Sequence, residues 1–334
     1  MSHVMPHMTY LEAAVVGLIQ GVTELFPVSS LGHNVLIPAL IGGSWATDLN
    51  VAAAESPYLA FIVGLHVATA IALMIYFWRD WIRIIGGFFS SIRRLRIETA
   101  DQRLAWMIII ATIPVGLVGV VFEHEFRVLF GKPIRAAIFL IVNGLILYAG
   151  ERFRTRASLA ADAEAARERQ ESEESADRPA RVVAGHASGQ RAVRQAEISQ
   201  AVQSDRRLTK VSLFEGLVIG SSQILALLAG ISRDGVAMVA GMFRGLSRED
   251  AARFAFLLAT PVILAAGVLK VPDLTGPLGN GIRGQILVGS VLSGVGAYLS
   301  VRFLVRYFQT RTLTPFAIYC VVFGLASVIY LSIK

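Results

Sequence analysis

Six stretches of this chain are long and apolar enough to cross a bilayer as helices: roughly 59–77, 104–123, 134–150, 254–271, 284–306 and 315–333. About 20 mostly apolar residues span the hydrocarbon as helix, and each of these runs comes close to that length. Two further segments, about 9–40 and 212–245, are apolar overall but broken by Gly, Pro, Ser and charge. Irregular backbone at membrane depth survives only where protein or a water-filled cavity covers it. Both segments are therefore expected to be re-entrant helix pairs. Between the apolar blocks, residues 151–210 carry mixed charge, many Ala and no large apolar face, the pattern of a solvated insertion.

The two apolar blocks resemble each other. A shift of 203 places Glu12 on Glu215, Gly17 on Gly220 and Gln20 on Gln223. The same shift puts Val15 on Val218, Leu25 on Leu228, Ser29 on Ser232 and Gly32 on Gly235. Each broken segment is then followed by three spans, so the chain reads as an internal repeat. The expected organisation is a first membrane repeat at 1–150, a hydrophilic cytoplasmic insertion at 151–210 and a second membrane repeat at 211–334. The fold class is all-α and polytopic: six transmembrane helices plus two re-entrant pairs.

Composition agrees with a membrane class. Apolar residues make up 54% of the 334, and charged residues only 16% against about a quarter in a soluble globule. The net charge of +7 comes from arginines gathered between spans, which points to membrane orientation and not to nucleic acid. The connection 78–103 holds six arginines, whereas 41–58 holds no Lys or Arg. The positive-inside rule puts the first on the cytoplasmic face and the second outside. Counting onward, the insertion and the Arg302/Arg306/Arg311 cluster fall inside; Arg127, Lys132 and Arg135 break the pattern in a short outer connection. The two broken segments then enter from opposite faces, the geometry of an inverted-topology repeat with a polar site near the midplane. The single cysteine, Cys320, excludes a disulfide framework.

Candidate chemistry sits in the two broken segments. In GLIQGVTELFPVSSLGH (17–33), Gln20 and Glu24 are four apart and share a helical face. Pro27 stops that helix, Ser29 and Ser30 can cap the next one, and His33 lies one turn further on. A carboxylate, an amide, two hydroxyls and an imidazole thus converge in a short apolar stretch, where ionisable groups are costly and usually functional. The plainer account is that the serines cap a helix while Glu24 faces headgroup water. The second motif, GISRDG (230–235), is a small-residue turn that places Arg233 between apolar runs. Backbone N–H groups at a Gly-rich helix start favour phosphate, and Arg adds a charge-assisted contact. Against this, Arg233 could simply pair with Asp234. His66 reads as a cavity lining or a hydrogen-bonded interior histidine, and Glu12 and Glu215 as matched helix caps. No Walker-type loop, HExxH or CxxC pattern is present.

On these residues the chain resembles a known family. QGVTELFPVSSLGH with the SR-x-G turn is similar to the bacterial undecaprenyl-diphosphate phosphatases, the bacitracin-resistance membrane proteins. ATIPVGLVG (111–119), FLIVNGLILYAGERF (139–153) and LSREDAARFAFLLATPVILAAG (246–267) extend the resemblance to nearly everything except the insertion. It implies hydrolysis of undecaprenyl (polyprenyl) diphosphate to the monophosphate and phosphate, at the outer face of the bacterial cytoplasmic membrane, with a divalent cation, Mg2+ or Ca2+. That reaction recycles the carrier lipid for peptidoglycan synthesis. By the same resemblance Glu24, Ser30 and His33 are expected to be catalytic. Ser29, Gly230, Ser232, Arg233 and Gly235 are expected to bind the diphosphate, and Glu24 with Gln20 the metal. The expected partners are the lipid substrate and membrane lipids, with a homodimer admitted and nucleic acid excluded. Ser30 is the preferred nucleophile, with Glu24 or His33 as base; attack by His33 itself or by a metal-bound water stays open. A lipid-phosphate flippase using the same anion-binding cavity is the reading from another class. The chain departs from the family pattern at Ala229, usually Pro, and at Asp234, usually Ser. Asp234 is expected either to weaken Arg233 or to supply a metal ligand.

Overall fold

A computed structural model describes residues 8–50, 57–130, 132–173, 208, 211–275 and 281–334. Every regular element among them is helical. The first half holds α1 (Tyr10–Thr23), α2 (Ser30–Ile41), a short α3 (Ser44–Asp48), α4 (Pro57–Tyr76), α5 (Trp78–Arg94), α6 (Ala100–Phe130) and α7 (Pro133–Glu173). The second half holds α8 (Leu213–Ser222), a 3-10 turn (Gln223–Leu227), α9 (Arg233–Phe243), α10 (Arg248–Thr275), α11 (Arg283–Thr310) and α12 (Thr314–Ile333). The expected insertion continues α7 as helix to Glu173, and its part at 174–207 lies outside the described residues.

Among the described residues five helices are long and apolar enough to cross a membrane: the apolar parts of α6, α7 and α10, with α11 and α12. The sixth expected span is α4, which passes that test together with α5 across a bend of 87°. The helices overrun the apolar runs at polar ends; α10, for example, starts at Arg248, where Ser247 accepts the Asp250 N–H at 3.0 Å. Hydrogen bonding continues past the apolar band, so hydropathy alone sets these boundaries short.

The connection 78–103 departs from its reading as a polar, arginine-rich link. Most of it is helix α5, because Trp78, Ile82, Ile85, Phe89 and Ile92 recur at helical spacing between the charges. Arg83 bridges Asp80 and Asp101, and Arg253 of α10 reaches Asp80 at 3.0 Å, so the polar face of α5 is tied to α6 and α10.

Packing is exchanged between the halves. Helix α1 lies on α11 and α8 lies on α6; α4 meets α11 as α10 meets α6; α7 packs along α12. Small residues let these backbones close. A Cβ at Gly17 would sit 2.8 Å from the Gly289 Cα, so the α1–α11 contact demands glycine there. At the α4–α11 contact, Thr69 and Ser293 hydroxyls meet at 3.1 Å and Ser293 also donates to the Leu65 carbonyl. Close backbone approach with hydroxyl cross-links is how helices associate where water gives no hydrophobic drive.

Helices α1 and α8 begin alike. Thr9 and Glu12 form a reciprocal capping box on α1, and Ser212 and Glu215 form one on α8. The matched caps expected at Glu12 and Glu215 are thus present. Each broken segment then turns and restarts on a serine: Ser29 accepts from the Gly32 N–H and Ser232 from the Gly235 N–H. Helices α1, α2 and the α8–3-10 segment are shorter than a span, and their turns meet inside the protein.

Candidate active site

Each turn in these broken segments exists because the chain cannot continue as helix. After α1, Pro27 interrupts the ladder and Ser29 takes φ 68°, a region that non-glycine residues rarely enter. Several bonds hold Ser29 there. Its Oγ accepts from the Gly32 N–H and from the Gly230 N–H of the other half, both at 3.2 Å. Its carbonyl accepts the His33 N–H at 3.2 Å and faces His33 Nδ1 at 2.7 Å. In the second half Gly230 takes φ 112°, and a Cβ there would press on the backbone of α7 near Ala136 and Leu140. Glycine is therefore required at that corner.

Asn143, midway along α7, ties the two turns together. Its Nδ2 donates to the Pro27 carbonyl and its Oδ1 accepts the Ser232 N–H, both at 2.9 Å. One buried amide thereby satisfies a backbone group from each half of the chain.

Glu24 is the hub of the polar cluster. Its Oε1 accepts from Arg233 Nη2 at 2.7 Å. Its Oε2 accepts from Gln20 Nε2 at 2.8 Å and from the Ser30 hydroxyl, and lies 3.2 Å from His66 Nε2. Gln20 is held in turn by Asn34 Nδ2, 2.6 Å from its Oε1. His66 Nδ1 lies 2.9 Å from the Ile62 carbonyl. If Nδ1 donates there, Nε2 can donate to Glu24 only as imidazolium. Glu24 and Arg233 form a largely buried ion pair, and removing either member leaves an uncompensated charge.

The structure brings most of the sequence-predicted residues together. Gln20, Glu24, Ser30 and Arg233 form one hydrogen-bonded group, with Ser29, Gly230, Ser232 and Gly235 building the turns behind it. His33 stands apart: its Nε2 lies 2.8 Å from the Tyr319 hydroxyl, its Nδ1 faces the Ser29 carbonyl, and its ring stacks on Tyr319 and Phe323. The Gly230 and Gly235 N–H groups are taken by serine hydroxyls. The N–H groups of Arg233 and Asp234, at the start of α9, have no acceptor among the described residues. Asp234 lies 3.5 Å from Arg233 Nε, and both its oxygens are buried without a hydrogen-bond partner.

His66, expected to line the cavity or to be a hydrogen-bonded interior histidine, bonds its own helix at Ile62 and lies beside Glu24. Asn34, Asn143 and Tyr319 are neighbours of the site that no motif marked. The usable signal was an ionisable or amide side chain inside an otherwise apolar run, as in GLHVATAIAL and FLIVNGLILYAG. Tyr319 carried no such signal.

The chain matches the family described as bacitracin resistance protein BacA over residues 13–326. It belongs to the BacA family. The match takes in most of both broken helix pairs, with Glu24 and Arg233 inside it. Relatives named undecaprenyl-diphosphatase occur in Mycolicibacterium paratuberculosis, 58% identical over 328 residues (98% of this chain, 99% of the relative). The Mycobacterium avium relative of the same name is 58% identical over 327 residues, again covering 98% and 99%. Undecaprenyl-diphosphatase 2 of Frankia alni is 54% identical over 339 residues, covering 96% and 97%. With five or six apolar spans among the described residues and membership of this family, the chain is a multi-pass membrane protein.

Proposed function

We propose that this chain hydrolyses undecaprenyl diphosphate to undecaprenyl phosphate and inorganic phosphate, recycling the carrier lipid for cell-wall synthesis and conferring bacitracin resistance. The names of its full-length relatives support the reaction. The observation that carries it is one buried carboxylate, Glu24, accepting at once from the Ser30 hydroxyl and from Arg233.

In the proposed reaction the terminal phosphate enters between Ser30 and the start of α9. Arg233 exchanges Glu24 for phosphate oxygens, and the N–H groups of Arg233 and Asp234 add two donors at a helix start. Glu24, freed on one oxygen, takes the Ser30 proton. Ser30 Oγ bonds to the terminal phosphorus while the bridging P–O bond breaks, and undecaprenyl phosphate leaves with the electron pair and the proton held by Glu24. A water then attacks the seryl phosphate, gives its proton to Glu24, and inorganic phosphate departs as Ser30 regains a proton. His66 holds positive charge against Glu24. His33 is assigned to positioning: both its nitrogens hold the Ser29–Ser30 turn against α12, and Glu24 is the base that touches Ser30.

A divalent cation, Mg2+ or Ca2+, belongs to the proposal. Among the described residues no group of three or more His, Cys, Asp or Glu is gathered. Mg2+ takes one or two protein carboxylates and draws its other ligands from phosphates and water, and Glu24 is the carboxylate that would face it. Glu24 would hold it together with the diphosphate, and Gln20 would join only with its amide turned over, since its Nε2 faces Glu24 and its oxygen accepts from Asn34. When bound, it neutralises phosphate charge and so eases attack on phosphorus.

For topology we propose that α1–α2 and α8–α9 are re-entrant pairs entering from opposite faces of the bacterial inner membrane, with the site open to the outside. Their short lengths, their matched caps and the distribution of arginines support that reading. The test is phosphate release from undecaprenyl diphosphate by purified protein in detergent with Mg2+, followed by acid quench of a terminally labelled substrate. Label on Ser30 is the expected result. No release in detergent, where translocation is impossible, would overturn the phosphatase in favour of a flippase.

A further inference from the structure

Two open depressions lie end to end along one face of α11, the first shared with α4 and the second on α11 alone, and neither includes a residue of the Glu24 cluster. The first, about 460 Å³, is an apolar groove that includes Ile71 and Ile75 of α4 and Val291, Val295 and Leu299 of α11. The second, about 420 Å³, also includes Leu299 and then turns basic, lined by Arg302, Arg306 and Arg311. Leu299 is common to both, so one face of α11 runs from apolar side chains directly into three arginines. The groove side chains are open, like many apolar side chains on the outer faces of these helices: Ile75 is 59% exposed, Val291 57% and Leu299 58%.

No carboxylate lines the basic cavity, and none of its three arginines is ion-paired among the described residues. Arg302 and Arg306 are four apart on one helix, where like charges repel. The macrodipole at the end of α11 and the positive-inside rule both favour cations there. Neither accounts for an apolar groove that shares Leu299 with the cluster. Val291 to Arg302 covers roughly 16 Å at ~1.5 Å per residue, about half the ~30 Å hydrocarbon layer. That is the depth of one leaflet.

We propose that the groove and the arginine basin together form a binding site for an anionic membrane phospholipid, one acyl chain lying against α4 and α11 and the phosphate resting on Arg302, Arg306 and Arg311. Charge complementarity selects the occupant: a phosphodiester lipid without a cationic headgroup supplies the negative charge the basin lacks. A zwitterionic lipid fills the groove equally well but brings its own ammonium to the arginines.

The test is native mass spectrometry of the full-length protein in detergent, titrated with phosphatidylglycerol, phosphatidylcholine of the same acyl chains, or glycerol phosphate. Wild-type protein is expected to bind phosphatidylglycerol roughly 10- to 100-fold more tightly than phosphatidylcholine at low salt, from a few-fold per surface arginine. The R302Q/R306Q/R311Q variant should bind the two lipids equally. V295W, which fills the groove at an exposed position, should weaken both lipids. Retention of the phosphatidylglycerol preference in the triple variant would reduce the arginines to orientation signals and overturn the site. Equal binding of both lipids by wild type, unchanged binding in V295W, or glycerol phosphate binding as tightly as the lipid would overturn it too. Undiminished detergent-phase phosphate release in these variants separates this site from the Glu24 cluster.

Discussion

Glu24 and Arg233 stand 209 residues apart in the chain and share a hydrogen bond of 2.7 Å. Each comes from the turn region of a broken helix pair, and each is useful only because the other half delivers its partner. The carboxylate that would deprotonate Ser30 is thus held by the guanidinium that would bind the phosphate. Substrate arrival can release one by engaging the other.

Glu24→Gln should therefore lower the rate of phosphate release by about 10²–10⁴-fold, the range of a lost general base, with the chain still folded. Ser30→Ala should abolish both turnover and the acid-stable label. Rates near wild type in Ser30→Ala, measured by phosphate release, would move the nucleophile elsewhere.

Arg233→Lys keeps the charge but loses the planar fork, so KM for undecaprenyl diphosphate should rise about tenfold or more. Steady-state kinetics at fixed Mg2+ reads this directly. Equal KM values would show that Arg233 only anchors Glu24.

His33 and His66 should part company. His66→Gln removes charge beside Glu24 and should depress kcat about tenfold or more. His33→Gln can still bond Ser29 or Tyr319, and should cost stability more than kcat. A larger kcat loss in His33→Gln than in His66→Gln would reverse the assignment.

Asn143→Leu should orphan the Ser232 N–H, at about 1–3 kcal/mol for a buried group left unpaired, and leave the Pro27 carbonyl only the weak Cys320 thiol as donor. A thermal shift in detergent should show a clear drop in melting temperature, with KM raised because both turns loosen. Asp234→Ser acts the other way. It removes a buried carboxylate whose oxygens find no hydrogen bond, and should raise the melting temperature. It should also lower KM, because Arg233 no longer has a second anion beside it.

Chelation by EDTA should stop phosphate release, and added Mg2+ or Ca2+ should restore it without change in helix content by circular dichroism. Full activity in EDTA would remove the cation from the proposal.

Much of this was legible in the residues. Apolar runs of span length announced the long helices, because a bilayer allows little else. Pro27, the serines and the glycines announced the turns. Helix α5 was hidden because its arginines, counted only as charge, masked the Trp78–Ile82–Ile85–Phe89–Ile92 stripe. His66 was visible but its partner was not, since a lone histidine in a span looks the same whether it bonds its own helix or also a distant carboxylate. Its place beside Glu24 depends on how α4 packs against the turn after α1.

Local chemistry, then, determined the elements of this protein and the residue types at their breaks: hydrophobic length, helix stops and caps depend on near neighbours and can be read in order. Which donor meets which acceptor was decided only in three dimensions. Arg233 could have stayed with Asp234, its neighbour in sequence, and Ser30 could have turned to His33. Exchanged packing of the two halves, with glycine contacts close enough to bring backbones together and Asn143 bonding both turns, places Glu24 between Ser30 and Arg233 instead.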